Sequence, residues 1–246
     1  MADVLVLCYH ALSERFPAAL SVTPDNFERQ LGLLKRAGYR GVTFSDALEV
    51  RSGRAVAITF DDAFLSVLQL AKPLLDSVGY PATVYAPTAY LDTPEQPLKW
   101  EGIDRWHGGE HERELLPMSW QQLGELAEDG WEIGSHTCTH PHLDQVRDDG
   151  ELRAELVESK RTVEERLGRD CATLAYPYGD YDERVVAAVG AAGYAAAGTL
   201  PARLHPARPL AWPRVGVYRS DDERRFRLKI SRAMRRLRGS RLWPTG

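Results

Sequence analysis

The sequence predicts a single-domain α/β fold whose parallel sheet closes into a TIM-like barrel. Three observations lead to this prediction: seven apolar runs of strand length, helical patterns between them, and a chain length of 246 residues. Most of the runs lack alternation of polar and apolar residues, as expected for parallel strands covered on both faces. Strands that alternate with helices imply right-handed parallel crossovers. A chain of this length commonly forms one closed α/β barrel.

The predicted elements follow one another with recognisable boundaries. The predicted strands lie at residues 4–9, 41–44, 55–60, 82–86, 131–135, 172–176 and 194–199. The first helix begins at Thr23-Pro24, a capping residue followed by proline, and the second begins at a capping-box sequence that starts with Ser119. The third and fourth helices end before Gly168 and Gly193, which are typical stop residues.

A long segment without periodicity, residues 91–117, interrupts this alternation. It contains Trp100, Trp106 and several glycines and histidines. Long irregular segments in compact domains are usually functional or disordered. The two interpretations of this segment are a variable surface loop and a flap that covers the substrate.

Composition excludes several classes of protein. The chain contains no run of about 20 apolar residues, which excludes a membrane-spanning helix. Its first residues lack the basic and apolar regions of a signal peptide. The three cysteines, Cys8, Cys138 and Cys171, are odd in number and widely spaced, which argues against a disulfide framework. We therefore expect a cytoplasmic protein.

The end of the chain is basic, whereas the rest is acidic. Nine lysines and arginines and no acid lie between Arg224 and Arg241, and the other residues carry 22 basic and 35 acidic side chains. An acidic body argues against nucleic-acid binding. We therefore divide the chain into a domain at 1–220 and a basic C-terminal helix or tail at 221–246. A helix packed on the barrel is the favoured interpretation of this tail, and weak contact with an anionic membrane is the alternative.

Four side chains that follow two of the predicted strands suggest a metal site. Asp61 and Asp62 come after the strand at 55–60, and His136 and His140 come after the strand at 131–135. One carboxylate and two imidazoles form a ligand set for a divalent metal with open positions. The second carboxylate remains free for proton transfer. The pattern therefore predicts metal-assisted hydrolysis at the carboxyl ends of barrel strands.

The same motifs resemble signature sequences of the polysaccharide deacetylases, which are carbohydrate esterase family 4 or NodB-homology domains. Residues 59–62 (Thr-Phe-Asp-Asp) and 136–140 (His-Thr-Cys-Thr-His) are similar to the first two motifs of this family. Residues 175–179 (Ala-Tyr-Pro-Tyr-Gly) match a variant of the third motif. The resemblance extends over residues 4–217. It implies a distorted (β/α)7 barrel that removes acetyl groups from N-acetylated amino sugars or glycans, usually with zinc.

The resemblance also implies roles for individual residues. The implied metal ligands are Asp62, His136 and His140. Asp61 would be the general base, because a carboxylate on the metal is held in its ionised form and accepts a proton poorly. A backbone N–H near Pro177 and Tyr178 would stabilise the oxyanion. The other ring nitrogen of each histidine ligand should contact a carboxylate or carbonyl that fixes its tautomer.

Two features of the family are missing from their expected positions. Ala175 replaces an arginine that steadies the base, and Arg214 is the candidate substitute, with an ordinary surface arginine as the alternative. The histidine that protonates the leaving amine has no close match. The candidates are His205, which could instead be a loop residue, and His10, which could instead orient other groups in the site.

These departures leave other activities open. The alternatives on the same fold are an O-acetyl esterase and a cyclic-amide hydrolase. A carbohydrate-binding protein with a vestigial site is a further alternative, although the presence of both carboxylates and both histidines weighs against it. A non-haem iron oxygenase would share the ligand set, but not the second aspartate or the alternating strands and helices.

Overall fold

Parallel strands form a nearly closed barrel in the computed structural model, which describes residues 2–241 and 243. In chain order the strands are β1 (Asp3–Tyr9), β2 (Ala11–Leu12), β3 (Ser21–Val22), β4 (Arg40–Val42), β5 (Arg54–Phe60), β6 (Thr83–Ala86), β7 (Glu132–Ser135), β8 (Thr173–Ala175), β9 (Ala196–Thr199), β10 (Trp212–Pro213) and β11 (Val215–Gly216). The barrel wall follows the order β10-β9-β8-β7-β6-β5-β1-β11. Only Arg214 separates β10 from β11, so this segment connects the two ends of the sheet. The predicted single-domain α/β barrel is confirmed, as is its distorted (β/α)7 form.

Six of the seven predicted strands form within the wall, and the remaining one needs correction. The strand predicted at 41–44 ends at Val42, and Phe44 is the first residue of a helix. The Thr43 side chain accepts a hydrogen bond from the Asp46 N–H, which caps this helix and stops the strand. The short strand β4 pairs with the first half of β5. The seventh position of the wall is taken by the segment 212–216, whose strands are too short to produce a sequence pattern.

Helices lie between the strands along the chain. They are α1 (Pro24–Arg36), α2 (Phe44–Glu49), α3 (Lys72–Val78), α4 (Trp120–Glu128), α5 (Asp149–Leu167), α6 (Glu183–Ala191), α7 (Glu223–Ile230) and α8 (Arg232–Arg238). The predicted boundaries are confirmed where capping residues mark them. Thr23 caps α1, Ser119 and Gln122 form a full capping box on α4, and Gly168 ends α5 in a left-handed conformation.

Helices α2 and α3 were not predicted from the sequence. A π-helical turn at Val67–Ala71 leads directly into α3, which has Pro73 in its first turn. Proline is compatible with a first turn but normally marks a helix boundary in a sequence pattern. The short helix and the irregular turn before it therefore gave no continuous helical periodicity.

Both faces of the barrel strands are buried. In β5, Val56, Ile58 and Phe60 belong to one apolar cluster, while Ala55 and Ala57 belong to a second. This burial explains why the predicted strands are continuously apolar rather than alternating. The carboxyl ends of these rigid strands then hold the side chains of the candidate site.

The basic C-terminal segment forms two helices that contact the barrel. Helix α7 buries Phe226 and Ile230, and Arg232 and Arg235 on α8 form ion pairs with the buried Asp3 of β1. Residues 242 and 244–246 of the predicted tail lie outside the described residues. Within the described part of the chain, no helix combines the length and apolar character needed to cross a membrane.

Candidate active site

The predicted site residues meet in a cleft at the carboxyl ends of the barrel strands. The cleft has a volume of about 200 Å³. Its lining includes His10, Asp61, Asp62, His136, His140 and Tyr178 from the strand ends, and Trp100, Glu101, Gly102 and Ile103 from the long loop. Residues distant in sequence therefore share one concave surface, as is usual for barrel enzymes.

Asp62, His136 and His140 converge on one point inside this cleft. The Asp62 Oδ1 atom lies 3.4 Å from the Nε2 atom of His136 and 3.4 Å from that of His140. All three residues are buried, and their candidate ligand atoms lie within 4.8 Å of one another. The predicted ligand set is therefore brought together by the fold, with one oxygen and two nitrogens facing the same space.

These three residues fit a bound divalent cation. Asp62 Oδ1 is buried and has no hydrogen-bond partner among the described residues. Burial opposes a charged carboxylate, yet the neighbouring imidazoles hold the pKa of Asp62 well below its usual range. A buried carboxylate oxygen that faces two imidazole nitrogens is the donor arrangement of a zinc-type site.

The two histidines are held by different contacts. His136 Nδ1 lies 2.8 Å from the Ala175 carbonyl oxygen, which assigns the ring proton to Nδ1 and leaves Nε2 free to bind a metal. His140 lacks the expected carbonyl or carboxylate contact among the described residues, and its Nδ1 is buried without a partner. The Trp100 ring instead stacks on His140 with 4.2 Å between centroids. The tautomer prediction thus holds for His136 and is wrong for His140, which is oriented by packing.

Asp61 is held by Arg214. The Arg214 guanidinium donates to Asp61 Oδ1 at 2.6 Å and to Oδ2 at 2.8 Å, which is a bidentate ion pair. Arg214 is wholly buried, which excludes the alternative of an ordinary surface arginine. Burial alone would raise the pKa of Asp61, but the charge of Arg214 lowers it to about 2. Asp61 therefore remains an ionised and oriented carboxylate at neutral pH.

Two further contacts to this ion pair were not found from the sequence. Arg214 Nη1 also donates to Thr59 Oγ1 at 3.0 Å, and the Cys8 thiol donates to Asp61 Oδ2 at 3.3 Å. Burial raises the pKa of Cys8 well above its usual value, so this thiol stays protonated. Cys8 and Thr59 lie within apolar strand sequences, so nothing in the sequence indicated that their side chains contact the ion pair.

The backbone at the site is strained. Every non-glycine residue with positive φ in the described chain belongs to the three motif regions: Asp62, Ala63, Thr137, His140 and Tyr178. Each such residue costs about 1–3 kcal/mol and persists only where the surroundings enforce it. Left-handed residues of this kind cluster at functional sites, and three of these five, Asp62, His140 and Tyr178, line the cleft.

Glu155 on α5 holds the loop between the two histidines. Its carboxylate accepts hydrogen bonds from the Cys138 N–H at 2.8 Å and the Thr139 N–H at 3.0 Å. The Thr139 hydroxyl adds a third bond. Burial raises the pKa of Cys138 to about 11, so its thiol is protonated at neutral pH and forms part of the loop's packing rather than a thiolate metal ligand. The sequence did not indicate this role for Glu155, because the residue lies in a helix rich in charged side chains.

Tyr178 forms part of the wall of the cleft. Its ring lies edge-on to His140 with 4.6 Å between centroids, and it stacks on His142 at 3.6 Å. Its hydroxyl donates to the Glu101 carbonyl oxygen, so the third motif contacts the long loop. Pro177 is buried beside it. The turn that contains the predicted oxyanion donor therefore borders the cleft.

The two candidate acids occupy different places. His10 lines the cleft, and the candidate ligand atoms of His10, Cys8 and Asp61 lie within 4.8 Å of one another. His205 is absent from the residues that line the cleft. Its Nε2 atom lies 3.2 Å from the Tyr181 hydroxyl and 3.4 Å from Thr199 Oγ1. The geometry therefore favours His10 over His205.

Comparison with known proteins identifies one family. A family model described as polysaccharide deacetylase matches residues 49–197, which is more than half of the chain. YxkH of Bacillus subtilis (strain 168) is 26% identical over 199 residues, covering 78% of this chain and 63% of YxkH. The poly-beta-1,6-N-acetyl-D-glucosamine N-deacetylase of Escherichia coli (strain K12) is 29% identical over 153 residues, covering 58% of this chain and 21% of that protein. The chain thus spans less than two thirds of the length of these relatives.

A solved structure shows the same fold. The Streptococcus pyogenes deacetylase PplD, determined in complex with acetate, matches with a TM-score of 0.78 at 21% identity. The match covers 93% of this chain and 98% of that chain. The two chains therefore share this fold over nearly all of the length compared.

Proposed function

Because the chain belongs to the polysaccharide deacetylase family, we propose that it is a metal-dependent hydrolase of N-acetylated amino sugars or glycans. The products are acetate and a free amine. The observation that carries this proposal is the convergence of Asp62, His136 and His140 beside the Asp61–Arg214 ion pair. The E. coli relative, named for its action on a polymer of N-acetylglucosamine, supports this substrate class.

Asp62, His136 and His140 would hold the metal, for which zinc is the first candidate. When bound there, a divalent metal supplies a Lewis acid that polarises an acyl oxygen and lowers the pKa of water. The mixed oxygen and nitrogen donor set suits zinc, and cobalt, nickel or manganese could use the same ligands. The stacked Trp100 and the Ala175 carbonyl fix the two rings so that both Nε2 atoms face Asp62.

The chain's own residues provide the proton transfers. Asp61, ionised and aligned by Arg214, accepts a proton from the water that attacks the acetamide carbon. His10 lines the cleft next to Asp61 and donates a proton to the leaving nitrogen as the carbon–nitrogen bond breaks. The Tyr178 N–H stabilises the oxyanion, because Pro177 has no N–H and the Gly179 N–H already donates to the Tyr176 carbonyl oxygen.

A substrate panel tests this proposal. Acetate and free amine are measured for oligomers of N-acetylglucosamine, O-acetylated sugars and cyclic amides, each with and without a chelator. We expect equal amounts of acetate and amine from the N-acetylated oligomers, loss of turnover with chelator and recovery with zinc. Acetate without amine would identify an O-acetyl esterase, and ring opening without acetate would identify a cyclic-amide hydrolase. Tight oligomer binding without any turnover would identify a vestigial site.

A further inference from the structure

A second cavity, larger than the catalytic cleft, lies between the C-terminal helices and the barrel. Its volume is about 540 Å³, which is within the range of small-molecule sites. The residues that line it are Leu200, Pro201, Ala202, Gly216, Tyr218, Asp221, Arg225, Leu228, Lys229, Met234, Arg238 and Trp243. None of them takes part in the proposed reaction, so the cavity needs an explanation of its own.

Most of the cavity wall is apolar, and part of it is exposed. Leu228 on α7 lines the cavity with 49% of its surface exposed, and Met234 on α8 lies on the same wall. Single exposed leucines are common, but apolar side chains that line one cavity together indicate a candidate ligand site. The wall is therefore suited to an aliphatic chain.

The cavity also carries positive charge that the protein does not neutralise. Its one acid, Asp221, is already paired with Lys229. Arg225 donates to the Ser220 carbonyl oxygen, and Arg238 donates to the Pro201 and Ala202 carbonyl oxygens. Neither arginine has a carboxylate partner in the described part of the chain, and burial lowers the pKa of Arg238. Two guanidinium groups therefore lack an anion beside an apolar wall.

The cavity borders the catalytic cleft. Leu200 lines both spaces, and it directly follows the last residue of β9. A molecule in the second cavity would thus contact a residue that also lines the cleft.

We propose that this cavity binds the phosphate and first methylene groups of a single-chain anionic amphiphile. Arg225 and Arg238 contact the phosphate, and Leu228 and Met234 contact the alkyl chain. A phosphate matches two guanidinium groups because its oxygens accept paired hydrogen bonds. The wall of aliphatic side chains distinguishes such a ligand from a free inorganic anion.

The test is calorimetric titration of the full chain with monododecyl phosphate below its critical micelle concentration. Inorganic phosphate and the uncharged dodecyl maltoside serve as comparison ligands. No acetylated substrate is present, so the result is independent of the proposed reaction. We expect saturable binding of dodecyl phosphate at one site, with at least about tenfold weaker binding of either comparison ligand.

Matched variants locate the site. Arg238→Gln and Leu228→Ser remove the charge and the apolar contact, and each should weaken binding about tenfold. Arg236→Gln and Leu237→Ser change exposed residues of α8 that do not line the cavity, and binding should stay within about twofold of the parent. Circular dichroism checks that each variant is folded. If Arg238→Gln does not fold, the Leu228→Ser variant provides the test.

Three results would overturn the proposal. Equal binding of inorganic phosphate would indicate an anion site alone, and equal binding of dodecyl maltoside would indicate an apolar site alone. Equal weakening by Leu228→Ser and Leu237→Ser would indicate non-specific adsorption on the surface of the helices, which is also what attachment to anionic vesicles would produce.

Discussion

Arg214 is a buried cation whose only acidic partner in the described chain is Asp61. Removal of one partner of a buried ion pair leaves the other uncompensated. We predict that Arg214→Met lowers the free energy of unfolding by about 3–5 kcal/mol. Its kcat should fall about 100-fold, with KM and metal content little changed, because Asp61 loses its orientation. Denaturant unfolding, steady-state kinetics and metal analysis measure these quantities.

Two comparisons separate this effect from a general loss of charge. Arg208→Met removes an exposed arginine paired with Glu183, and the free energy of unfolding should change by no more than about 1 kcal/mol. The double variant Asp61→Asn with Arg214→Met should recover much of the lost stability, since neither charge is then left alone. An Arg214→Met enzyme with unchanged kcat would exclude a role for Arg214 in positioning Asp61.

His10 and His205 differ in position, and the pH dependence of the reaction tests which one is the acid. A group that donates a proton must be protonated, so its deprotonation produces the alkaline limb of the pH–rate profile. We predict that His10→Gln removes this limb and that His205→Gln retains it. The measurement is kcat/KM over the pH range in which both variants remain folded. Retention of the limb in both variants would reject both histidines.

The long loop at 91–117 contributes to the site through Trp100, and this contribution can be tested at the level of the element. Trp100 lines the cleft and stacks on His140, whereas Trp106 packs against Phe16 outside the cleft. Contacts that orient a metal ligand typically change metal affinity or activity by about 10–100-fold. We predict that Trp100→Ala accelerates metal loss to a chelator and lowers kcat/KM about tenfold.

Trp106→Ala is the matched control for the loop. It removes an indole of the same size from the same loop, so it should lower the free energy of unfolding with little effect on metal loss or kcat/KM. The measurements are chelator-exchange kinetics and steady-state rates. If both tryptophan variants lose metal at the same rate, the loop acts through its overall packing and the contact between Trp100 and His140 has no separate role.

Helix α8 is attached to the barrel by Asp3, and this attachment depends on pH. Burial alone would raise the pKa of Asp3, but Arg235 and Arg232 lower it below the ordinary value of 3.8. Because the folded-state pKa is the lower one, Asp3 stabilises the fold fully above the unfolded-state pKa near 3.8. This stability is lost as the pH falls through the lower folded-state pKa.

Asp3→Asn should therefore remove the contribution at neutral pH, and we predict a loss of about 1–3 kcal/mol in the free energy of unfolding. The difference between parent and variant should shrink as the pH is lowered below 3.8. Urea unfolding measured at several pH values tests this. A difference that stays constant over the acid range would contradict the proposed ion pairs.

At the scale of the whole molecule, the sequence predicted that the barrel closes and where most strands end, but not which strands close it. Apolar runs such as 55–60 and 131–135 are continuous and of strand length, so the carboxyl ends of these strands, which Asp62 and His136 follow, were located correctly. Closure depends on two-residue strands on either side of Arg214, and such short elements have no periodicity. The strand predicted at 41–44 was wrong at its end because Thr43 caps a helix.

The site residues that belong to sequence motifs were predictable, whereas the residues that reach the site through tertiary contacts were not. Asp61 and Asp62 stand next to each other in sequence, but nothing local indicated that Cys8 would contact Asp61 from 53 positions away. Trp100 likewise reaches His140 only because its loop folds over the cleft. Contacts of this type depend on how the strands are ordered in space, and residue patterns along the chain do not contain that information.

The central claim is that Asp62, His136 and His140 bind one metal while Asp61 serves the reaction without binding it. The most direct test is measurement of zinc content and acetate release for the parent, Asp61→Asn and His136→Ala. We predict that Asp61→Asn keeps about one zinc per chain and loses turnover by about 10²–10⁴-fold, whereas His136→Ala loses both. Full zinc loading of both variants, or normal acetate release by Asp61→Asn, would contradict the claim.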